Sequence, residues 1–234
     1  STIVAQSAAD RLLKLEPIDW NGEALARRAK GKAAAKEAKA KKETVRVPNT
    51  TPSHPLADYA GEYFHPGYGP LMVQLQGDKL NVTYNGMTAP LGHWHYDVFT
   101  ALETQDEVLA DTKFNFATDV NGNIASVAAP MEPVVKDAVF AKKPDARLSD
   151  PAYLQKFLGD YELAGVSAQI GLKGNALTLS VPGQPEYTLV PDLGGVFRLK
   201  EVSVIQVRFL LDGQGNVTGL ESRQPEGVYT AKKK

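Results

Sequence analysis

Cysteine is absent from the sequence, so no disulfide staples the fold and no thiol takes part in chemistry. That absence is compatible with either side of a membrane and assigns no compartment. No apolar run approaches the roughly 18 residues that a membrane-spanning helix needs. With a net charge of only −1, the whole chain lacks the basic surface expected of a nucleic-acid binder. Histidine is scarce, and His54, His65, His93 and His95 all fall in one stretch. There is no glycine-rich phosphate loop, no His-Glu-x-x-His and no pair of carboxylates at helical spacing, which removes the commonest nucleotide and metallohydrolase signatures. What is present, 234 residues of which 43% are hydrophobic, suffices for one large domain or two small ones, each with a core.

The charge is unevenly placed. Between residues 27 and 42, Arg27, Arg28, Lys30, Lys32, Lys36, Lys39, Lys41 and Lys42 face only Glu37, which leaves the rest of the chain clearly acidic. Upstream, Ile3, Ala8, Leu12, Leu15 and Leu25 keep helical spacing, broken by Pro17 and the Asp19-Trp20-Asn21 turn. Residues 1–25 carry too much apolar surface for a free tail and read as the helical end of a preceding domain. Residues 26–52 read as a basic, proline-containing linker. Their first part has high helix propensity and no apolar face, which suits a solvated helix better than a patch binding an anionic envelope surface. Val45 to Pro55, with Pro48, Pro52 and Pro55, is predicted to be extended. No stacking aromatics interleave the basic run, so nucleic acid is not an expected partner.

From Leu56 onward the period changes to two. Leu71, Val73 and Leu75 alternate with Met72, Gln74 and Gln76, and Leu80, Val82 and Tyr84 with Asn81, Thr83 and Asn85. Gly77-Asp78, Asn85-Gly86 and Asn121-Gly122 supply turns. Eight short strands are predicted in residues 53–144 and eight more in 145–234. The inward candidates of the second set include Val166, Ala168, Ile170 and Leu172, then Leu177, Leu179 and Val181, then Ile205, Val207, Phe209 and Leu211. The two halves correspond. Leu56, Tyr59 and Gly61-Glu62-Tyr63 answer Leu154, Phe157 and Gly159-Asp160-Tyr161; Phe99 answers Phe197; Phe116 with Asp119 answers Phe209 with Asp212; Glu132-Pro133 answers Gln224-Pro225. Eight strands joined by short turns fit a closed barrel without free edges. The predicted fold is therefore all-β: two tandem eight-stranded up-and-down barrels of lipocalin-like kind behind a helical leader. The alternative is one larger β-sandwich or continuous sheet. Gly-x-Tyr at the first strand resembles the Gly-x-Trp opening of lipocalin-type barrels, whose aromatic plugs the base near a basic residue of the last strand, here Lys142 or Lys232.

Longer motifs lie in the first half: Pro52-Ser53-His54-Pro55-Leu56, Tyr59-Ala60-Gly61-Glu62-Tyr63, His65-Pro66-Gly67-Tyr68-Gly69, and Pro90 through His93-Trp94-His95-Tyr96-Asp97 to Phe99. On these, residues 54–142 resemble the C-terminal accessory domain, of the DUF3471 type, of bacterial serine hydrolases in the β-lactamase-related, penicillin-binding-protein-like class. Residues 148–234 resemble it more loosely, and Asp10-Arg11-Leu12-Leu13 with Pro17-Ile18-Asp19-Trp20 is similar to the closing helix of the hydrolase domain. The resemblance implies a non-catalytic module of a periplasmic or secreted enzyme that caps or gates its active site or mediates assembly. The implied partner is the preceding hydrolase domain of the same polypeptide, of the β-lactamase, D-aminopeptidase or esterase class. The family's catalytic residues have no counterpart: no serine has lysine three residues on, and Tyr-x-Asn does not occur. His65-Pro66-Gly67 belongs to the accessory-domain signature rather than to a catalytic His-x-Gly.

A second function class remains, a lipocalin-like binding module holding a small hydrophobic or peptide ligand. Tyr63, Tyr68, His93, Trp94, His95 and Tyr96 are its candidate ligand-binding residues. His93 and His95, two apart on a strand, are expected to share a face with Asp97. Trp94, Tyr96 and Val98 would then fill the barrel, or, in the opposite orientation, the imidazoles would. Three ligands along one flat strand converge poorly, so no metal site and no cofactor is predicted. Self-association is a further partner reading.

Overall fold

A computed structural model describes residues 2–16, 18–43, 46–103, 109–132, 134–163 and 165–234. Pro17, Val45 and Pro133, which enter the readings above, lie outside the described residues, as do the side chains of residues 32–43. The chain divides into a unit of residues 1–49 and a unit of residues 50–234.

In the first unit, helix α1 spans Thr2–Leu12 and α2 spans Trp20–Glu43, so one helix runs through residues 25 and 26. Asp19 caps α2 by accepting the Gly22 amide at 2.8 Å. The Trp20 indole donates to Asp10 Oδ2 at 2.6 Å, which ties α2 to the buried carboxyl of α1. Among the described residues of this unit little else is covered: Val4, Leu12, Leu13, Leu15, Ile18 and Leu25 are all exposed. Among the described residues no helix is long and apolar enough to cross a membrane.

The second unit holds two closed barrels of eight antiparallel strands. A short helix α3 (Leu56–Tyr59) precedes β1 (Gly61–His65), β2 (Gly69–Gln76), β3 (Lys79–Tyr84), β4 (Met87–His95), β5 (Val98–Ala101), β6 (Lys113–Thr118), β7 (Ile124–Ala129) and β8 (Ala138–Lys142). Barrel two follows a connector and helix α4 (Pro151–Leu154). Its strands are β9 (Gly159–Leu163), β10 (Val166–Lys173), β11 (Ala176–Ser180), β12 (Tyr187–Pro191), β13 (Phe197–Leu199), β14 (Gln206–Leu211), β15 (Val217–Gln224) and β16 (Gly227–Lys233). Each strand pairs with its sequence neighbours, and β1 closes on β8 as β9 closes on β16. The sandwich alternative is thereby excluded.

Alternation produces the cores. Leu71, Val73, Leu80, Val82, Phe114, Phe116 and Phe140 point inward and are buried, while their neighbours face solvent. In barrel two Ile170, Leu177, Val207 and Phe209 are buried as expected, but Val166 and Leu211, at strand ends beyond the packed interior, are exposed. The buried side chains form two separate clusters, one per barrel.

The end of each barrel that carries the short helix, here called the base, is plugged by aromatics in one geometry. Tyr59, Phe99 and Phe116 pack with ring centroids 5.1 to 5.7 Å apart, and Tyr63 adds its ring at 5.8 Å from Phe116. Phe157, Phe197, Phe209 and Tyr161 do the same in barrel two. The Tyr63 hydroxyl donates to the Tyr59 carbonyl at 2.7 Å, and the Tyr161 hydroxyl to the Phe157 carbonyl at 2.7 Å. Lys142 lies 5.6 Å from the Tyr63 ring centroid and donates to the Asp58 carbonyl. In barrel two that place belongs to Lys233, not Lys232: it pairs with Tyr161, lies 5.9 Å from its ring and donates to the Lys156 carbonyl at 2.7 Å. Lys232 pairs instead with Glu162, one residue on and therefore on the outer face.

Candidate functional site

At the base of barrel one the signature segments meet. Asp97, in the turn between β4 and β5, accepts the Ser53 amide at 2.8 Å and the Ser53 hydroxyl at 2.8 to 2.9 Å. It also accepts the hydroxyl of Tyr59, whose ring is buried in the plug. The Asp97 carbonyl takes the Phe116 amide at 3.0 Å, which fixes the turn on β6. His54 Nδ1 lies 2.7 Å from Ser53 Oγ, and its Nε2 lies 2.6 Å from the Gly122 carbonyl. A carbonyl only accepts, so Nε2 carries a hydrogen. One residue further, the Tyr96 amide donates to Thr50 Oγ1 at 3.0 Å. Residues 50–55 are thus strapped to the barrel rather than forming a free spacer.

Electrostatics follow from this packing. Burial pushes the Asp97 carboxyl up, but the hydrogen bonds from Tyr59 and Ser53 and the neighbouring His54 outweigh it, and the net pKa lies below the ordinary carboxylate value. Burial, reinforced by Asp97, raises the Tyr59 phenol to about 12.

Serine, histidine and aspartate side by side suggest a hydrolytic triad, but the wiring is wrong for one. A nucleophilic serine gives its proton to an imidazole that the carboxylate orients from the far side. Here the carboxylate holds the serine directly, and the far nitrogen of the imidazole is spent on a backbone carbonyl. What the cluster does in the structure is fasten residues 50–55 to the barrel.

The six candidate ligand residues are not brought together. Tyr63 is fully buried in the plug. Tyr68 sits at the opposite mouth, its hydroxyl on Glu132 at 2.8 Å, a contact that raises its pKa. His93, Trp94, His95 and Tyr96 lie near the base. A β-bulge between His93 and His95 overturns the expectation that these two share a face. His93 pairs with the buried Phe99 and so turns inward, its ring 5.6 Å from that of Phe99. His95 pairs with Val98, the outward neighbour of Phe99. Trp94 lies under the Lys113 ammonium, 3.6 Å from it. Tyr96 adopts a left-handed conformation in the turn and is 57% exposed. The expected interior set of Trp94, Tyr96 and Val98 is therefore corrected to Leu91, His93 and Phe99. Among the described residues no group of three or more metal-ligating side chains converges.

Between the two bases lies a cleft of about 1390 Å³. Barrel one contributes His54, Asp58, Glu62, Asn123 and Lys142, the connector Arg147, and barrel two the loop of residues 193–195 with Arg208. Most of its charges are already paired: Lys143 with Glu62 at 2.7 Å, and Arg147 with Asp145 at 2.6 Å. Sequence reasoning missed Ser53, His54 and Tyr59 as a working group. The signal was present, since all three lie in the signature segments, but their partner Asp97 is more than 35 residues away.

The fold and the base define a pair of closed, aromatic-plugged up-and-down barrels. Residues 45–142 match the family described as "Domain of unknown function (DUF3471)". The match takes in barrel one and the strap, under half of the chain, and the resemblance read from residues 54–142 holds for that part. Among solved structures, one similar chain is described as the crystal structure of the C-terminal domain of penicillin binding protein Rv0907. It is 25% identical with a TM-score of 0.35, covering 42% of this chain and 94% of that one. No curated protein matches the chain significantly.

Proposed function

We propose that the chain is a non-catalytic accessory module of a secreted or periplasmic serine hydrolase of the β-lactamase-like class, and that its α1–α2 unit docks on that hydrolase. The barrels then cap or gate the active site or support assembly. The observation that carries this reading is the exposed apolar set Val4, Leu12, Leu13, Leu15, Ile18 and Leu25, in a unit whose described residues bury almost nothing but Asp10. A face of that kind is normally covered by protein. The DUF3471 match supports the accessory role, as does the use of Ser53, His54 and Asp97 for fastening. A ligand enclosed in barrel one is the weaker reading, because Tyr59, Tyr63, Phe99, Phe114, Phe116 and Phe140 occupy its interior.

The test is binding in trans between this chain and the hydrolase domain encoded upstream of it, followed by size-exclusion chromatography. Co-elution that Leu12→Asp with Leu13→Asp abolishes is the expected result. Co-elution unaffected by that pair, or no association at all, overturns the docking role of the α1–α2 unit. An upstream sequence lacking Ser-x-x-Lys and Tyr-x-Asn overturns the hydrolase assignment itself.

A further inference from the structure

The strap at the base of barrel one is not needed to build a barrel. Barrel two makes the same aromatic plug, the same tyrosine-to-carbonyl bond and the same lysine bridge with none of the strap's polar groups. Phe157 stands where Tyr59 does. Gly195 precedes Phe197 by two, as Asp97 precedes Phe99. Pro151 and Ala152 precede Leu154 as Ser53 and His54 precede Leu56. The polar set therefore does something that barrel two does not require.

Its bonds form a continuous line. Asp97 holds Ser53, Ser53 Oγ meets His54 Nδ1, and His54 Nε2 meets the Gly122 carbonyl in the turn between β6 and β7. The next residue, Asn123, is pinned by its amide and side chain to Asp119, at 2.9 and 3.1 Å. Its side chain also lies directly against Gly194 of barrel two, so close that a Cβ there would collide with it. Gly194 has a φ of 73°, so a side chain would also be strained there. One end of the line is the incoming chain and the other is the contact between the barrels, both at the rim of the cleft.

We infer that Asp97, Ser53 and His54 form a latch that couples the seating of residues 50–55 to the closure of the cleft between the barrels. When the incoming segment is seated, His54 holds the Gly122 turn, and Asn123 sits against Gly194. When the segment is pulled away, the turn loses that tether and the barrels part. The inference is independent of what precedes the chain, because every group in it lies within residues 50–234.

The absence of cysteine makes the test clean, since Val139→Cys and Val228→Cys place one spin label on an exposed site of each barrel. Double electron–electron resonance then reads the inter-barrel distance, and hydrogen exchange reads the Ser53 and Tyr96 amides. In the full chain a single narrow distance is expected. Asp97→Ala should raise Ser53 amide exchange about tenfold or more, the loss of a charge-assisted bond, and broaden the distance distribution. His54→Ala should broaden the distances and raise Ser53 exchange as well, but by less than Asp97→Ala does, because Asp97 still holds that amide. Gly194→Ala, acting from the other end, should raise exchange at Ser53, as reciprocity requires. If Asp97→Ala fails to fold, Tyr59→Phe carries the same test, because Phe157 shows that phenylalanine fits a plug of this geometry. Faster Ser53 exchange with an unchanged distance overturns the coupling, and unchanged exchange overturns the latch.

Discussion

Gly61 and Lys142 depend on each other. At Gly61 φ is 144°, and an added Cβ would lie 2.8 Å from Lys142 Cε. The glycine thus lets the lysine stem cross to Tyr63 and the Asp58 carbonyl. Gly159 has the same backbone at 127°, but the nearest atom, Lys233 Cε, is 3.4 Å away. Gly61→Ala should therefore cost more than Gly159→Ala. The shared backbone strain is about 1–3 kcal/mol and the clash is additional only at residue 61. Urea denaturation checks the order, and adding Lys142→Ala should recover part of the loss at residue 61 but not the strain. At Asp97 the folded pKa is lowered, so its contribution is present above the unfolded carboxylate value, about 3.9, and is lost as pH falls through the folded value. Tyr59 acts at the other end. Its folded pKa of about 12 exceeds the ordinary 10.0, so its contribution is present below pH 10 and is lost as pH rises toward 12. Protection of the Ser53 amide should therefore begin to weaken as pH falls below about 4 and be lost only as pH falls through the lowered folded value, and this pH dependence should vanish in Asp97→Asn.

At the scale of elements, the segment before barrel one and the strand β4 decide most of what is unusual. Residues 50–55 look like a proline spacer in sequence, and only their hydrogen bonds to Asp97, Tyr96 and Gly122 make them part of the barrel. Limited trypsin digestion should cut within α2 or after Arg46, where the chain is rich in Lys and Arg, and leave a stable fragment that retains the strap. SDS–PAGE with N-terminal sequencing reads the result, and early cutting inside β2 to β7 would contradict the compact barrels. The strand β4 shows where periodicity fails. Alternation places His93 and His95 together, but the bulge inserts a residue and separates them. Nothing in His-Trp-His-Tyr-Asp announces the bulge, and the turn that follows it is held by Ser53, Tyr59 and Phe116, all outside that motif.

At the scale of the whole molecule, the two clusters of buried side chains are distinct, and each contains its own fully buried tyrosine. Tyr63→Ala and Tyr161→Ala should each destabilise one barrel by about 3–5 kcal/mol, the range for truncating a buried large aromatic. Calorimetry should then resolve one early transition and one near the native position. A single transition moved equally by both substitutions would mean one shared core. The proposed role gives a further expectation: the isolated chain should not hydrolyse β-lactams or D-amino-acid peptides above buffer. A rate abolished by changing one residue of this chain would contradict it.

The sequence by itself determined the all-β class, the eight strands in each half and the division into two cores. These follow from local alternation, turn residues and the correspondence between halves, each readable without knowing what touches what. Only the tertiary structure decided that Lys233 rather than Lys232 bridges Tyr161, because barrel closure sets which residue of the last strand faces the first. It also decided that His93 and His95 part company, that Tyr68 and His93 lie at opposite ends, and that Ser53, His54, Tyr59 and Asp97 are one group. Each of these depends on contacts between residues far apart in the chain, and the period of a strand carries no information about where the sheet will close.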